Sequence, residues 1–243
     1  MQTNHIHKFE QEGDIYKCEC GKQILKFNEK DNQRVGMRSN GRKYTKKANQ
    51  NRFFFPKEYT QFEDSLKDKQ KHSIKSLLNT GARVMELQKA QVRDFIYNPQ
   101  GRSRIILRHT KTKARKGEFG SGRVRDIPLS RQFAKYLFNY IQDNNLTEKD
   151  KLNIHSTPAI NIFMKKTAEE IGLTHSEDFS AHTLRKTFEI WLMALGVDSL
   201  PLTAHLGHDI KTAAGHYVSP DVFSWEDKRL IRQILGDLYE DRR

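Results

Sequence analysis

Residues 178–218 gather reactive side chains at places where helix packing does not call for them. His182 and Arg185 stand three apart, which on a helix puts them on one face about one turn from each other. Leu184, Phe188, Trp191 and Leu192 supply the core side of the same segment and leave the pair to face a pocket. Leu206-Gly207-His208 closes 23 residues after Arg185, and Tyr217 comes nine residues later. Far upstream, Thr80-Gly81-Ala82-Arg83 ends one helical run and opens the next with an arginine. A guanidinium fork binds two oxygens of an oxyanion and stays charged at every relevant pH. An imidazole moves a proton near neutrality, and a phenol in positive surroundings acts as a nucleophile. Arg83 and Arg185 thus make a two-sided clamp for a phosphate group. His182 is the base for the Tyr217 hydroxyl, and His208 a hydrogen-bond donor to an oxygen of that group. The bland alternatives are a salt bridge for Arg83 and satisfied core histidines for His182 and His208. His205 and His216 carry no assigned chemistry and read as structural.

The chain that must position these groups has 243 residues, with 43 Lys+Arg against 30 Asp+Glu and a formal charge of +13. That balance points to a polyanionic partner. Fourteen Phe, eight Tyr and two Trp supply large apolar surfaces, and a chain of this length buries roughly 70% of its unfolded surface. No apolar run approaches a membrane span, and the first residues lack the apolar stretch of a secretory signal. A soluble, cytoplasmic protein is expected. Cys18 and Cys20, one residue apart, exclude a disulfide framework.

Charge sets the first boundary. Residues 32–57 hold eight Lys/Arg and no acid, among them Arg42, Lys43, Lys46 and Lys47, and with interleaved Gly and Asn they read as a flexible basic arm ending at Phe53-Phe54-Phe55-Pro56. Its use is nucleic-acid contact, the alternative being a solvated linker. Ahead of it, His5, His7, Cys18 and Cys20 offer two imidazoles and two thiolates for a structural zinc knuckle, against a plain N-terminal hairpin. The division is thus 1–55, basic arm with the zinc candidate, and 56–243, the folded domain.

From Pro56, residues Tyr59, Phe62, Leu66, Ile74, Leu77 and Leu78 predict one long helix that Thr80-Gly81 ends. Segments 92–97, 102–109 and 123–129 predict an antiparallel meander with a turn at Asn98-Pro99-Gln100-Gly101. The remainder is helical, with Ser130 and Ser156 as N-caps and a helix from about Ala181 to Leu195. The fold class is α+β, mainly helical, with a small antiparallel three-stranded sheet. In segment 223–240, Trp225, Leu230, Ile234 and Leu238 fall mainly on one helical stripe, expected to pack in the core.

Thr80-Gly81-Ala82-Arg83, a hairpin lysine, His182-x-x-Arg185, Leu206-Gly207-His208 and Tyr217, in that order and spacing, resemble the catalytic domain of the tyrosine recombinase (phage integrase) family over about residues 56–240. The resemblance implies site-specific DNA strand exchange through a covalent 3′-phosphotyrosine at Tyr217, with no cofactor for catalysis. It also implies a lysine acid that protonates the departing 5′-oxygen, aligned here with Lys111. Segment 102–125 holds nine Lys/Arg with Glu118 the lone acid, so Arg108, Lys113, Arg115 and Lys116 are expected along the phosphate backbone of double-stranded DNA. A homo-oligomer, dimer or tetramer, assembled on DNA is implied, and integration or excision of a mobile element is the expected role. The rivals are a topoisomerase or telomere-resolvase-like enzyme with the same chemistry, and a DNA-binding regulator that keeps the fold without catalysis. Family members typically place a helical DNA-clamping domain ahead of the catalytic one, where this sequence has segment 1–55.

Overall fold

The computed structural model describes residues 52–108, 124–173, 175–207 and 222–239, together with the backbone of five short strands between Phe9 and Lys46. The chain divides into two compact units, Met1–Gln50 and Asn51–Arg243.

In the first unit, strands β1 (Phe9–Glu12), β2 (Ile15–Cys18) and β3 (Gln23–Leu25) form an antiparallel sheet in sequential order, with Phe9 opposite Cys18 and Ile15 opposite Leu25. Strands β4 (Arg34–Met37) and β5 (Lys43–Lys46) pair antiparallel, Arg34 opposite Lys46. The basic stretch read as an arm thus contains the β4–β5 ladder. Val35, Tyr44 and Thr45 favour extended backbone.

The second unit begins with α1 (Pro56–Asp64) and α2 (Asp68–Thr80), two helices where the periodicity predicted one. The break is local chemistry. The Ser65 hydroxyl donates to the Gln61 carbonyl (2.9 Å), Lys67 is extended, and its N–H donates to the Gln70 side chain (3.1 Å), a capping arrangement that restarts the helix at Asp68. Leu66 stays in the core across the gap, which is why the apolar pattern ran on unbroken.

The short helix α3 (Val84–Lys89) leads to the meander β6 (Phe95–Ile96), β7 (Arg104–Arg108) and β8 (Val124–Pro128), antiparallel in that order. Residues Val92–Asp94, expected to be strand, form a 3-10 turn held by Asp94 bonding back to the Gln91 N–H (2.9 Å). The Asn98 side chain accepts from the Gly101 N–H (2.9 Å), making the expected turn between β6 and β7. Ile105, Leu107 and Ile127 point inward and are fully buried.

Helices α4 (Arg131–Asp143) and α5 (Thr157–Glu170) start at Ser130 and Ser156, whose hydroxyls cap the backbone N–H groups of Phe133 and Ala159. Helix α6 (Ala181–Ala194) is the centre of the unit: eleven of its fourteen residues are buried, so it is surrounded on nearly all sides. Phe54 is pinned to it, its N–H donating to Thr187 (3.0 Å) and its carbonyl accepting from the Trp191 indole (2.8 Å). Phe54 also packs on Phe62 and Phe179 at centroid distances of 4.9 and 4.6 Å, so the aromatic run read as the end of the arm is core.

Helix α7 (Ser199–Leu206) and helix α8 (Trp225–Leu235) complete the described fold. The expected α8 stripe is displaced. Ile231, Leu235 and, just beyond the helix, Leu238 are buried, Leu230 and Ile234 are half-buried, and Trp225 is 76% exposed with Arg229 over its ring. Trp225 sits in the first turn, where Ser224 caps through Asp227 and the helix has not yet reached the core. Among the described residues no helix is long and apolar enough to cross a membrane.

Candidate active site

Two helix ends converge on the meander. Helix α2 stops at Gly81 and α7 at Gly207, both left-handed (φ 56° and 66°). Glycine is required twice over at each. A Cβ on Gly81 would lie 2.5 Å from Phe188 Cδ1, and one on Gly207 would lie 2.7 Å from Arg125 Cδ. A helix C-terminus presents carbonyls without intrahelical partners and the negative end of its dipole, so cationic donors are favoured there.

Those donors are arginines. Arg185, 4% exposed, donates from one terminal nitrogen to the Gly81 carbonyl (2.7 Å) and from the other to the Leu206 carbonyl (2.5 Å). It therefore joins the two helix ends. Arg125 donates to the His205 carbonyl and pairs at 2.5 Å with Glu86, whose side chain is fully buried. Arg83 forms the N-cap of α3. Its N–H donates to one Glu86 oxygen (2.9 Å) and its guanidinium to the other (3.0 Å), and its side chain stays 28% exposed. One buried carboxylate thus organises two arginines, and the exposed one faces outward.

Burial lowers the Arg185 pKa to about 9, and the positive charges of Arg83 and Arg125 push the same way, against Glu86 and Glu189. It remains a cation at neutral pH. Arg125 is lowered for the same leading reason, burial, with Glu86 opposing. His205 lies within this shell. Burial lowers its pKa to about 4, so it is neutral, and it bonds the Thr80 carbonyl through Nε2 (2.9 Å) and the Tyr239 hydroxyl through Nδ1 (2.9 Å). The expectation that His205 is structural agrees with these bonds.

His182 is exposed in the first turn of α6, while Arg185, one turn on, is buried. The expectation that the pair shares one open face is corrected. The turn between them carries the helix from solvent into the core, and the Arg185 guanidinium meets backbone carbonyls. Arg108, at the end of β7, is 65% exposed and pairs with Asp94 at 3.2 Å. Lys111, Lys113, Arg115, Lys116, His208, His216 and Tyr217 lie outside the described residues, as do His5, His7, Cys20, Arg42 and Lys47. Of the other candidate residues, Cys18 ends β2, and Lys43 and Lys46 bound β5.

Sequence reasoning missed Arg125 and Glu86. The signal was present: in β8 the alternation that buries Ile127 places Arg125 on the same inward face, and an inward arginine requires a buried acceptor. Glu86 follows Arg83 by three, the spacing of a cap that reaches back.

A partly exposed guanidinium thus stands beside a buried one on a helical frame closed by a three-stranded meander. The phage integrase family model matches residues 52–222, and the chain belongs to that family. Among solved structures, XerA recombinase is 20% identical with a TM-score of 0.54, over 75% of this chain and 64% of that one. A Tn1549 transposon integrase in complex with transposon right-end DNA is 18% identical with a TM-score of 0.53, over 78% and 67%. A lambda integrase dimer bound to a core site is 16% identical with a TM-score of 0.52, over 71% and 62%. The tyrosine recombinase catalytic fold, mainly helical with a small antiparallel sheet, is thereby shared. The chain spans 64% of the XerA recombinase chain. No curated protein sequence matches it.

Proposed function

We propose that this chain is a site-specific DNA recombinase that cleaves and rejoins double-stranded DNA through a 3′-phosphotyrosine at Tyr217, serving integration or excision of a mobile element. The observation that carries the reading is the joining of Arg185 to both helix ends beside the Glu86-anchored, partly exposed Arg83. Arg83 and Arg185 neutralise the non-bridging oxygens of the scissile phosphate as charge builds on them. The Tyr217 oxygen attacks phosphorus, its proton passes to His182, and His208 donates to a phosphate oxygen. Lys111 protonates the departing 5′-oxygen, and reversal of these steps rejoins the strands. No water or nucleotide is consumed.

Arg108 with Lys113, Arg115 and Lys116, and Arg42, Lys43, Lys46 and Lys47 of the first unit, follow the phosphate backbone. A dimer or tetramer forms on the DNA, and the boundary expected at 55/56 moves to 50/51, so that a basic segment precedes a catalytic domain that takes in Phe53–Phe55. His5, His7, Cys18 and Cys20 hold a structural zinc. Two thiolates and two imidazoles are a donor set zinc accepts, and Cys18 pairs across the β1–β2 ladder with Phe9, two residues past His7.

A two-site recombination assay run beside a relaxation assay tests the class. Exchange of flanking DNA between paired sites, without nucleotide, is expected. Relaxation of supercoils with no exchange would overturn it in favour of a topoisomerase.

A further inference from the structure

The last described turn of the chain is fastened from both sides. Asp237 accepts from the Arg131 N–H (2.8 Å) and pairs with its side chain (3.0 Å), and Leu238 is buried beside it. This fixes Tyr239, half-buried, with its hydroxyl 2.9 Å from His205 Nδ1. The Thr80 carbonyl, 2.9 Å from His205 Nε2, can only accept, so Nε2 carries the proton. Nδ1 is then the acceptor and the Tyr239 hydroxyl the donor. The next residue after Thr80 is Gly81, whose carbonyl takes Arg185, and the His205 carbonyl takes Arg125.

We infer that Tyr239 is a positioning residue that, by donating to His205 Nδ1, holds the imidazole against the Thr80 carbonyl, the contact on which the seating of Arg185 and Arg125 depends. Without the hydroxyl, Nδ1 is a buried acceptor left unpaired, and the ring is free to turn or shift away from the Thr80 carbonyl to satisfy it. The Thr80-Gly81 turn gives way, and the guanidinium it seats moves with it. This rests on the proposed reading only in its effect on rate, since the hydrogen-bond relay itself is independent of what the site does.

The test compares Tyr239→Phe with the unaltered full chain by two measurements. The first is ¹⁵N spectroscopy of the His205 ring and solvent exchange of the Arg185 guanidinium protons. The expected result is an Nε2–H ring with a hydrogen-bonded Nδ1 in the unaltered chain, and in the variant an Nδ1 resonance moved to the unbonded position with faster exchange of the Nε2–H and Arg185 protons. The second is the rate of covalent trapping on a pool of nicked duplexes randomised around the nick, with DNA affinity measured in parallel. A loss of roughly tenfold to a hundredfold in trapping rate at unchanged affinity is expected. In a His205→Gln background, where the amide supplies the Thr80 donor without Tyr239, the Tyr239→Phe effect should disappear. An unchanged Nδ1 resonance and unchanged Nε2–H and Arg185 exchange, or an equal loss in the His205→Gln background, would overturn the inference. Absence of any adduct from the unaltered chain would instead overturn the recombinase reading, and the spectroscopic arm would still decide the relay.

Discussion

Arg125 meets Glu86 at 2.5 Å inside the protein, across the junction of β8 with α3. The same carboxylate orients Arg83, the guanidinium proposed to meet the phosphate. Removing Arg125 leaves the buried Glu86 with only the partly exposed Arg83 as its counter-charge, which is costly, whereas removing both charges is much less so. Arg125→Met is therefore expected to lose about 3–5 kcal/mol of stability, and Glu86→Gln with Arg125→Met to recover a large share. Urea denaturation of both variants checks this. A single-variant loss under about 1 kcal/mol would mean that the pair is dispensable.

The two glycine ends differ from an open glycine in a way that mutation can read. Gly81 has a positive φ and a Cβ position 2.5 Å from Phe188, while Gly196 has a positive φ and nothing within 4 Å. Gly196→Ala should cost about 1 kcal/mol of backbone strain, and Gly81→Ala at least 1–3 kcal/mol more from overpacking against Phe188. Equal losses in thermal or urea unfolding would contradict the close approach.

Two buried histidines give the stability a pH signature. Burial lowers the pKa of both His72 and His205 from 6.5 to about 4. His72 bonds Tyr136 and the Leu152 carbonyl and stacks on Tyr140 at 3.4 Å. Between pH 4 and 6.5 the unfolded chain binds more protons at these two positions than the folded one, so stability rises with pH across that window. Their contribution is complete above pH 6.5 and is lost as pH falls towards 4, by roughly 2–4 kcal/mol for each residue. Urea midpoints at pH 7, 5.5 and 4.5 should fall in that order, and less steeply in His72→Gln. An unchanged slope in that variant would contradict the assignment to His72.

Zinc in the first unit has its own measurement. Purified protein should carry one zinc per chain by elemental analysis, and Cys18→Ser should lose it while trapping by a separately expressed 52–243 fragment stays insensitive to chelator. Chelator-sensitive trapping by that fragment, restored by magnesium, would contradict cofactor-free chemistry.

The sequence was most informative where a side chain's role is local. Ser130 and Ser156 cap the helices they were expected to cap, Asn98–Gly101 turns as its composition requires, and helix 181–194 ends within a residue of its expected limit. It was least informative where the outcome depends on partners distant in the chain. Leu66 continues an apolar period across a break made by Ser65 and Gln70, and Trp225 shares a stripe with residues that reach a core it does not reach. Arg185 was found as a chemical type, yet its burial against the ends of α2 and α7 depends on carbonyls 104 and 21 residues away. Arg125 looked like one more cation in a basic segment, because its acceptor, Glu86, lies 39 residues upstream.

The central claim is that a phenol near the carboxyl end attacks a DNA phosphate held by Arg83 and Arg185. It is tested most directly by incubating the full chain with nicked suicide duplexes, denaturing, and sequencing the peptide that stays bound to DNA. An adduct through Tyr217 is expected, abolished in Tyr217→Phe while DNA affinity is kept. A denaturant-resistant adduct that persists in Tyr217→Phe, or one mapped to another residue, would contradict that claim.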